Sequence, residues 1–386
     1  MTGYEDLGVR AVINASATLT RLGGSLMPQP VLDAMLAAAG SFVDLTELHC
    51  KAGERIAALT GNEACYISSG AAAGIAMAVA ACAVGTDPAK IARLPHFDGA
   101  PPEVIVHRCQ RNGYDHAARM TGATLVEIGM AHSTQAWELE AAITPRTACV
   151  LFFAGAHYAE GALPLEQVIA LAHERGVPVL VDAAAQIPPI SSLWAYTRDL
   201  GADVAIFSGG KGLRGPQSSG LVLGRRDIVD ACYVNSSPNP SIGRPMKVGK
   251  EEMLGMLAAV EWSLNQDEAA VLAGYEASVA LWLGGLQDID GVTVSRGYPS
   301  EAGQPHGRAI VRIAPPCPLT RDQLVDRLWD RNPRIAVSKI GADSIALNPQ
   351  TLEPGEDRLV LQAIQRLLTG VPVPSVAAVP GHPTAT

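Results

Sequence analysis

The residues most able to do chemistry sit in the run Ile206-Phe207-Ser208-Gly209-Gly210-Lys211-Gly212-Leu213-Arg214-Gly215-Pro216-Gln217. A lysine among glycines, just past a buried strand, differs from an ordinary surface lysine. The glycines free the backbone and leave room for a flat ring, and a lysine amine can condense with an aldehyde. Ser208, a short step earlier, can bond a phosphate. A flexible surface turn with a solvated lysine is the plainer alternative. A second signal is Asp182, which closes Val179-Leu180-Val181-Asp182 and precedes Ala183-Ala184-Ala185-Gln186. A carboxylate at the end of a buried strand is costly unless paired, and a protonated pyridinium nitrogen is such a partner. A capping aspartate would give the same pattern. The third signal is Ser68-Ser69-Gly70-Ala71, between a strand and an Ala-rich helix. Small residues let an anion approach the N–H groups and dipole of the helix N-terminus. An ordinary helix cap competes with that reading.

These signals need a scaffold that gathers strand ends. Between residues 60 and 225 short β-branched runs alternate with helical patterns. Strands are predicted at 64–67, 104–107, 124–128, 149–153, 179–181, 204–207 and 220–224. Helices are predicted at 71–83 and near 115–121, 134–143 and 164–175. Continuous apolar strands alternating with helices indicate a mostly parallel sheet covered on both faces. In such sheets ligands bind beyond the C-terminal strand ends. Further on, long helices near 248–264 and 268–286 precede strands near 292–296, 308–313 and 344–347 and helices near 319–330 and 355–369. The expected organisation is an N-terminal arm and helix over 1–50, a large domain over 51–265, a small α+β domain over 266–370 and a Pro- and Ala-rich disordered tail over 371–386.

Two competing motifs fail. Ser208-x-x-Lys211 matches a serine β-lactamase element, but no SDN or KTG follows. Gly210-x-Gly212-x-x-Gly215 matches a dinucleotide fingerprint, but Pro216 follows where a helix should start. Taken together and in this order, the three signals resemble the fold-type-I pyridoxal-phosphate enzymes. Within them the chain is similar to the selenocysteine synthase (seryl-tRNA selenium transferase) group and its small-molecule relatives, the D-glucosaminate-6-phosphate ammonia-lyases. The resemblance runs to about residue 265. It rests on Val12-Ile13-Asn14-Ala15, Gly23-Gly24-Ser25, Ser69-Gly70-Ala71-Ala72, Asp182-Ala183-Ala184, the Phe207–Lys211 block with Gly215-Pro216-Gln217, and Arg244-Pro245-Met246-Lys247-Val248-Gly249-Lys250-Glu251.

The resemblance implies pyridoxal 5'-phosphate as cofactor, Lys211 as Schiff-base lysine and proton shuttle, and Asp182 as partner of the ring nitrogen. It implies Ser69, Gly70, Ala71 and Ser208 around the phosphate, with Ala184 as a further cofactor-binding residue. A ring-stacking residue is expected after the strand ending at His107. Gln110 and Tyr114 are the candidates, with His107 and His116 behind them. Candidates for substrate contact are Glu47 and His49, reaching a site across a dimer interface, His157 at another strand end, and Arg214 and Arg244, with Lys247 and Lys250 as further cations. Each of these also reads as ordinary surface or loop chemistry. The leading reaction is elimination at Cα/Cβ of a small anionic amino acid or amino-sugar acid, of ammonia-lyase type. Racemisation, aldol cleavage, decarboxylation and an O2-using oxidase or oxygenase reaction stay open on the same scaffold, as does a non-catalytic protein of this fold.

Composition narrows the partners. Of 386 residues, 48% are hydrophobic and 17% charged, enough for a large core. A formal charge of −9 and the lack of a basic run argue against nucleic acid. The tRNA-dependent branch has an extra N-terminal region, for which no room is expected before Tyr4. The seven cysteines are irregularly spaced and form no CxxC, as in a reducing compartment, with no metal expected. The N-terminus has no signal-peptide core, and the apolar run 71–84 falls short of the roughly 20 residues that span a bilayer. The expectation is a cytoplasmic homodimer or higher homo-oligomer, off the membrane, acting on a small molecule.

Overall fold

The computed structural model describes residues 3–370; the tail 371–386 lies outside them. Two compact units are present. The larger takes Thr18–Leu272 and Pro299–His306; the smaller takes the described residues up to Ala17, Ala273–Tyr298 and residues 307–370.

The larger unit is built on a seven-stranded sheet. In chain order its strands are β1 (Ala64–Ser68), β2 (Glu103–His107), β3 (Thr124–Ile128), β4 (Thr147–Phe153), β5 (Val179–Asp182), β6 (Val204–Ser208) and β7 (Gly220–Gly224). Their spatial order is β1-β7-β6-β5-β4-β2-β3. The pairs β2–β3, β2–β4, β4–β5 and β5–β6 are parallel, and β7 runs antiparallel to both its neighbours. This is the mostly parallel α/β sheet that the resemblance implies. The strands β1, β2, β5 and β7 are buried along their whole length, as a sheet covered on both faces requires. One face packs on helix Ala71–Val84, whose Ala-rich middle is buried from Gly74 to Ala81. The other packs on helices Leu45–Thr60, Leu165–His173 and Lys250–Leu264. All C-terminal ends except that of β7 point the same way, so Ser68, Phe153, Asp182 and Ser208 end on one rim.

The smaller unit holds a four-stranded antiparallel sheet of Val292–Gly297, Arg308–Ile313, Ser338–Ile340 and Ser344–Leu347. Val12–Asn14 forms a separate two-stranded parallel ladder with Arg334–Ala336. The two units divide the chain at other places than the expected boundaries at residues 50 and 265. The first 50 residues are divided. Their start is tied to the smaller unit by that ladder, and helix Gln29–Ala39 packs on Lys250–Leu264 within the larger one. Residues 299–306 return to the larger unit, although both flanking strands belong to the smaller. Among the described residues one helix, Glu268–Leu286, is long and apolar enough to cross a membrane by length and composition, with mean hydropathy 1.4.

Candidate active site

A cavity of about 430 Å³ opens at the rim where the strand ends converge. Lys211, Asp182, Ser69, Gly70, Ala71, Ala184, Ser208, Tyr114 and His157 line it, together with Thr18, Thr20, Tyr158, Gln186, Gln217, Ser218 and Ala302. Each predicted group arrives on its own element. Asp182 is the last residue of β5, Ser208 the last of β6, and Ser69-Gly70 join β1 to helix Ala71–Val84.

The helix N-terminus is built for an anion. Gly70 is its cap residue at φ 129°, a backbone open to glycine, and no side chain bonds the first-turn N–H groups. The helix is 14 residues long, so its dipole reinforces those donors. Ser69, Ser208, Ser218, Thr18 and Thr20 add hydroxyls around the same space. Among the described lining residues the only lysine or arginine is Lys211, so amides and hydroxyls would carry a phosphate here.

Asp182 is nearly buried, and one carboxylate oxygen, Oδ1, accepts from Ala184 N at 3.0 Å. Burial pushes its pKa up from the ordinary carboxyl value; the Ala184 N–H and the positive charge of Lys211 act against that. Lys211 shows the reverse. Burial lowers its pKa from the ordinary lysine value, and Asp182 partly restores it. A buried acid and a buried amine thus face one cavity with opposed desolvation costs. This is the pattern expected where a third, charged ring system completes the pair. The loop carrying Lys211 is closed on itself by Arg214 N to Lys211 O at 3.0 Å, Gly215 N to Gly209 O at 2.8 Å and Gly209 N to Ser219 O at 2.9 Å. These residues fit pyridoxal phosphate: a phosphate cradle, a carboxylate for the ring nitrogen and an amine for the aldehyde.

The comparisons with known proteins agree. A family model for class-V aminotransferases matches residues 102–237. The chain is 32% identical over 379 residues to the D-glucosaminate-6-phosphate ammonia lyase of Salmonella typhimurium, covering 94% of this chain and 97% of that one. The chain belongs to the fold-type-I pyridoxal-phosphate enzymes of the D-glucosaminate-6-phosphate ammonia-lyase-like family. A solved structure of D-glucosaminate-6-phosphate ammonia-lyase superposes with a TM-score of 0.81 at 31% identity, over 96% of this chain and 99% of that one. A second relative of this fold-type-I chain is the 5'-C-glycyluridine monooxygenase-decarboxylase of a Streptomyces species, 33% identical over 376 residues, covering 95% and 92%.

Several expected site residues lie elsewhere. Gln110 is fully buried beside β4, where its Oε1 accepts from Phe153 N at 3.1 Å, and it does not line the cavity. His107 is also buried; its Nε2 accepts from Leu163 N at 3.3 Å and its ring meets Phe152 edge-on. His116 starts a short helix and does not line the cavity. Tyr114 does, as do His157 and Tyr158, whose ring centroids are 3.9 Å apart. Burial lowers the pKa of His157, against the backbone of Glu301, and raises that of Tyr158.

Within this chain Glu47 and His49 are not at the cavity. Glu47 is exposed in the first turn of helix Leu45–Thr60. His49 is buried against β1, accepting from Ile67 N at 2.9 Å and stacked on Tyr66. Arg214 turns away from the cavity. Its Nε donates to Leu26 O at 2.7 Å and its guanidinium lies over the Trp262 ring. Arg244 and Lys247 are exposed and outside the lining. Lys250 donates to Ala38 O at 2.8 Å and pairs with Glu251.

The lining also contains residues that the motifs did not single out. Gln186 donates to Ala154 O at 3.2 Å and Ala302 O at 2.8 Å, and Gln304 donates to Ala185 O at 2.8 Å. These bonds draw the segment 299–306 onto the rim after β5. Gln186 stood in the Asp182 motif, and its amide was the available signal. Ala302 had none, because it lies between two strands that look like an ordinary hairpin.

The buried histidines make a pH prediction. Burial holds His49 and His107 down to about 4 from an ordinary 6.5, with the Glu138 charge opposing at His107. Their folded pKa values lie below the unfolded ones, so the unfolded chain takes up protons first as pH falls. Each therefore costs stability at about 1.4 kcal/mol per pH unit below 6.5, until its folded pKa is reached. Urea unfolding at pH 7, 6 and 5 should show that decline, and His49→Gln should flatten it. An unchanged slope in the variant would remove His49 from this account.

Proposed function

We propose that the chain is a pyridoxal-phosphate-dependent lyase that eliminates ammonia from a small hydroxyl-rich amino acid or amino-sugar acid. The observation that carries this is the convergence of Lys211, Asp182 and the Ser69–Ala71 helix start on one cavity. When bound, the cofactor supplies an electron sink for charge at the substrate Cα. Lys211 Nζ would hold it covalently and, once released, move a proton at Cα. Asp182 would hold the proton on the ring nitrogen. The N–H groups at Gly70 and Ala71, with the Ser69 and Ser208 hydroxyls, would bind the phosphate. Tyr114 and the His157–Tyr158 pair would flank the ring. The remaining walls present Thr18, Thr20, Gln186, Gln217 and Ser218, neutral side chains suited to a polyhydroxylated substrate.

The active form is proposed as a homodimer. Leu26, Leu32, Leu36, Phe42 and Val43 are exposed along the N-terminal segment, a concentration of apolar side chains that a second subunit would cover. The seven cysteines are free, which suits the cytoplasm. The acidic charge and the compact neutral cavity favour a free small molecule over tRNA.

A second reading rests on the Streptomyces relative, whose name assigns it oxygen insertion and decarboxylation. One experiment separates the two. The holoenzyme is incubated with 2-amino-2-deoxyaldonic acids and their 6-phosphates, with and without oxygen, while ammonia, carbon dioxide and oxygen uptake are followed. Ammonia release that is indifferent to oxygen supports the lyase. Oxygen uptake matched by carbon dioxide would overturn it in favour of the oxygenase reading.

A further inference from the structure

The loop that carries Lys211 is gripped from outside by a segment to which the motifs assign no role. Ser25 N donates to Gly210 O at 3.0 Å, and Ser25 Oγ donates to Lys211 O at 2.6 Å. Gln217 Nε2 reaches Thr20 O at 3.5 Å, and Arg214 Nε donates to Leu26 O at 2.7 Å. The approach leaves no room for a side chain at Gly24. Its φ is +74°, and a Cβ there would stand 2.2 Å from Gly210 O. Arg214 has φ 54°, the one positive value among the described non-glycine residues. Such a backbone persists only where its surroundings hold it. Here they include the Leu26 carbonyl and the Trp262 ring, 5.6 Å from the guanidinium carbon to the centroid.

Ser25 thus fixes the carbonyls on either side of the Lys211 Cα. Two fixed peptide planes set the direction in which the lysine side chain leaves the backbone. Arg214 ties the adjoining Leu26 carbonyl to the later part of the loop, and Gln217 reaches Thr20 nearer the start of the strap. We propose that Ser25 and Arg214 are positioning residues that clamp the segment Thr18–Leu26 onto the Lys211 loop and so aim the amine and keep water from it. The proposal rests on reading Lys211 as the reactive lysine. It also gives Arg214, expected as a substrate ligand, a different task.

The test uses the cofactor-free full-length protein, so that it reads Lys211 and not turnover. Competitive labelling with acetic anhydride across pH, read by peptide mass spectrometry, gives the titration midpoint of Lys211. The groups facing Lys211 across the cavity are Asp182, Tyr114, His157 and Tyr158. None of them is altered. In wild type the midpoint should lie below that of exposed lysines, about 10.4. Ser25→Ala and Arg214→Met loosen the clamp and admit water, so the midpoint should rise toward that value. Ser25→Thr keeps the hydroxyl and should restore it. Hydrogen exchange should quicken in 208–217 as well as in 18–26. An unmoved midpoint in both variants, with faster exchange confined to 18–26, would make the segment a passive cover and overturn the proposal. Should Ser25→Ala fail to fold, Arg214→Met carries the same test. Failure of the functional reading would look different: borohydride would fix the cofactor to another lysine, leaving the titration of Lys211 intact.

Discussion

Lys211→Ala should lose the borohydride-fixable cofactor link and at least about 10²–10⁴-fold in turnover, the range that a positioned proton-transfer group contributes. The argument starts from burial. Desolvation lowers the pKa of the amine, so a larger neutral fraction is available than on a surface lysine. The same amine stands in the cavity that Asp182 and the Ser69–Ala71 turn line, so attachment and proton transfer would fall to one atom. Lys211→Arg sharpens the test. Arginine keeps the charge and most of the volume but does not deprotonate in proteins. It should be as inactive as the alanine variant, although the phosphate cradle is untouched. Peptide mapping after borohydride reduction of the wild-type holoenzyme checks the covalent claim. A pyridoxyl group on any other lysine, or measurable turnover in Lys211→Arg, would sink it.

The large sheet was legible in the sequence because its strands are continuous apolar runs. These end in residues that make little sense inside a core: Asp182, Ser208 and Ser68. The seven predicted strands all form, and helix 71–83 is extended by a single residue at Val84. What the sequence hid is tertiary. Val12–Asn14 and Arg334–Ala336 are short strands whose pairing joins chain ends far apart, and neither carries a strong period of its own. The segment 299–306 sits between two regular strands, and only the amides of Gln186 and Gln304 draw it to the rim. The substrate candidates show the same limit from the other side. Arg214 and His49 are the right residue types in the right part of the chain. Their direction is decided by a carbonyl at Leu26 and an N–H at Ile67, which no spacing rule reveals. Gln110 belongs with them: it follows the correct strand but is consumed by the β4 backbone.

Asp182→Asn should separate cofactor retention from turnover. Asparagine fills the same space and can still accept from Ala184 N, so the phosphate cradle and Lys211 would keep the cofactor bound. It cannot hold a positive charge on the ring nitrogen. Loss of one preorganised electrostatic partner should lower turnover by about 10²–10³-fold. The stability of the cofactor-free protein should move the opposite way. Burial raises the pKa of Asp182 above its unfolded value, only partly offset by the Ala184 N–H and Lys211. A carboxyl shifted in that direction favours folding below its unfolded pKa, and the benefit is lost as pH rises through the folded one. At neutral pH the cofactor-free wild type therefore carries a charge that its surroundings disfavour, and asparagine does not. The variant should unfold later, by on the order of 1 kcal/mol, as when a residue kept for function is replaced. The gain should shrink as pH falls toward the ordinary carboxyl range, where the wild-type group is neutral as well. Asp182 also holds the Lys211 pKa up, so the Lys211 labelling midpoint should drop in the variant. Denaturant unfolding of both cofactor-free proteins at pH 7.5 and pH 5, beside holoenzyme turnover, decides the matter. Full turnover would remove Asp182 from the chemistry. A variant that is less stable at neutral pH would mean that Asp182 is held there as a structural ion, not as the partner of a ring that completes the site.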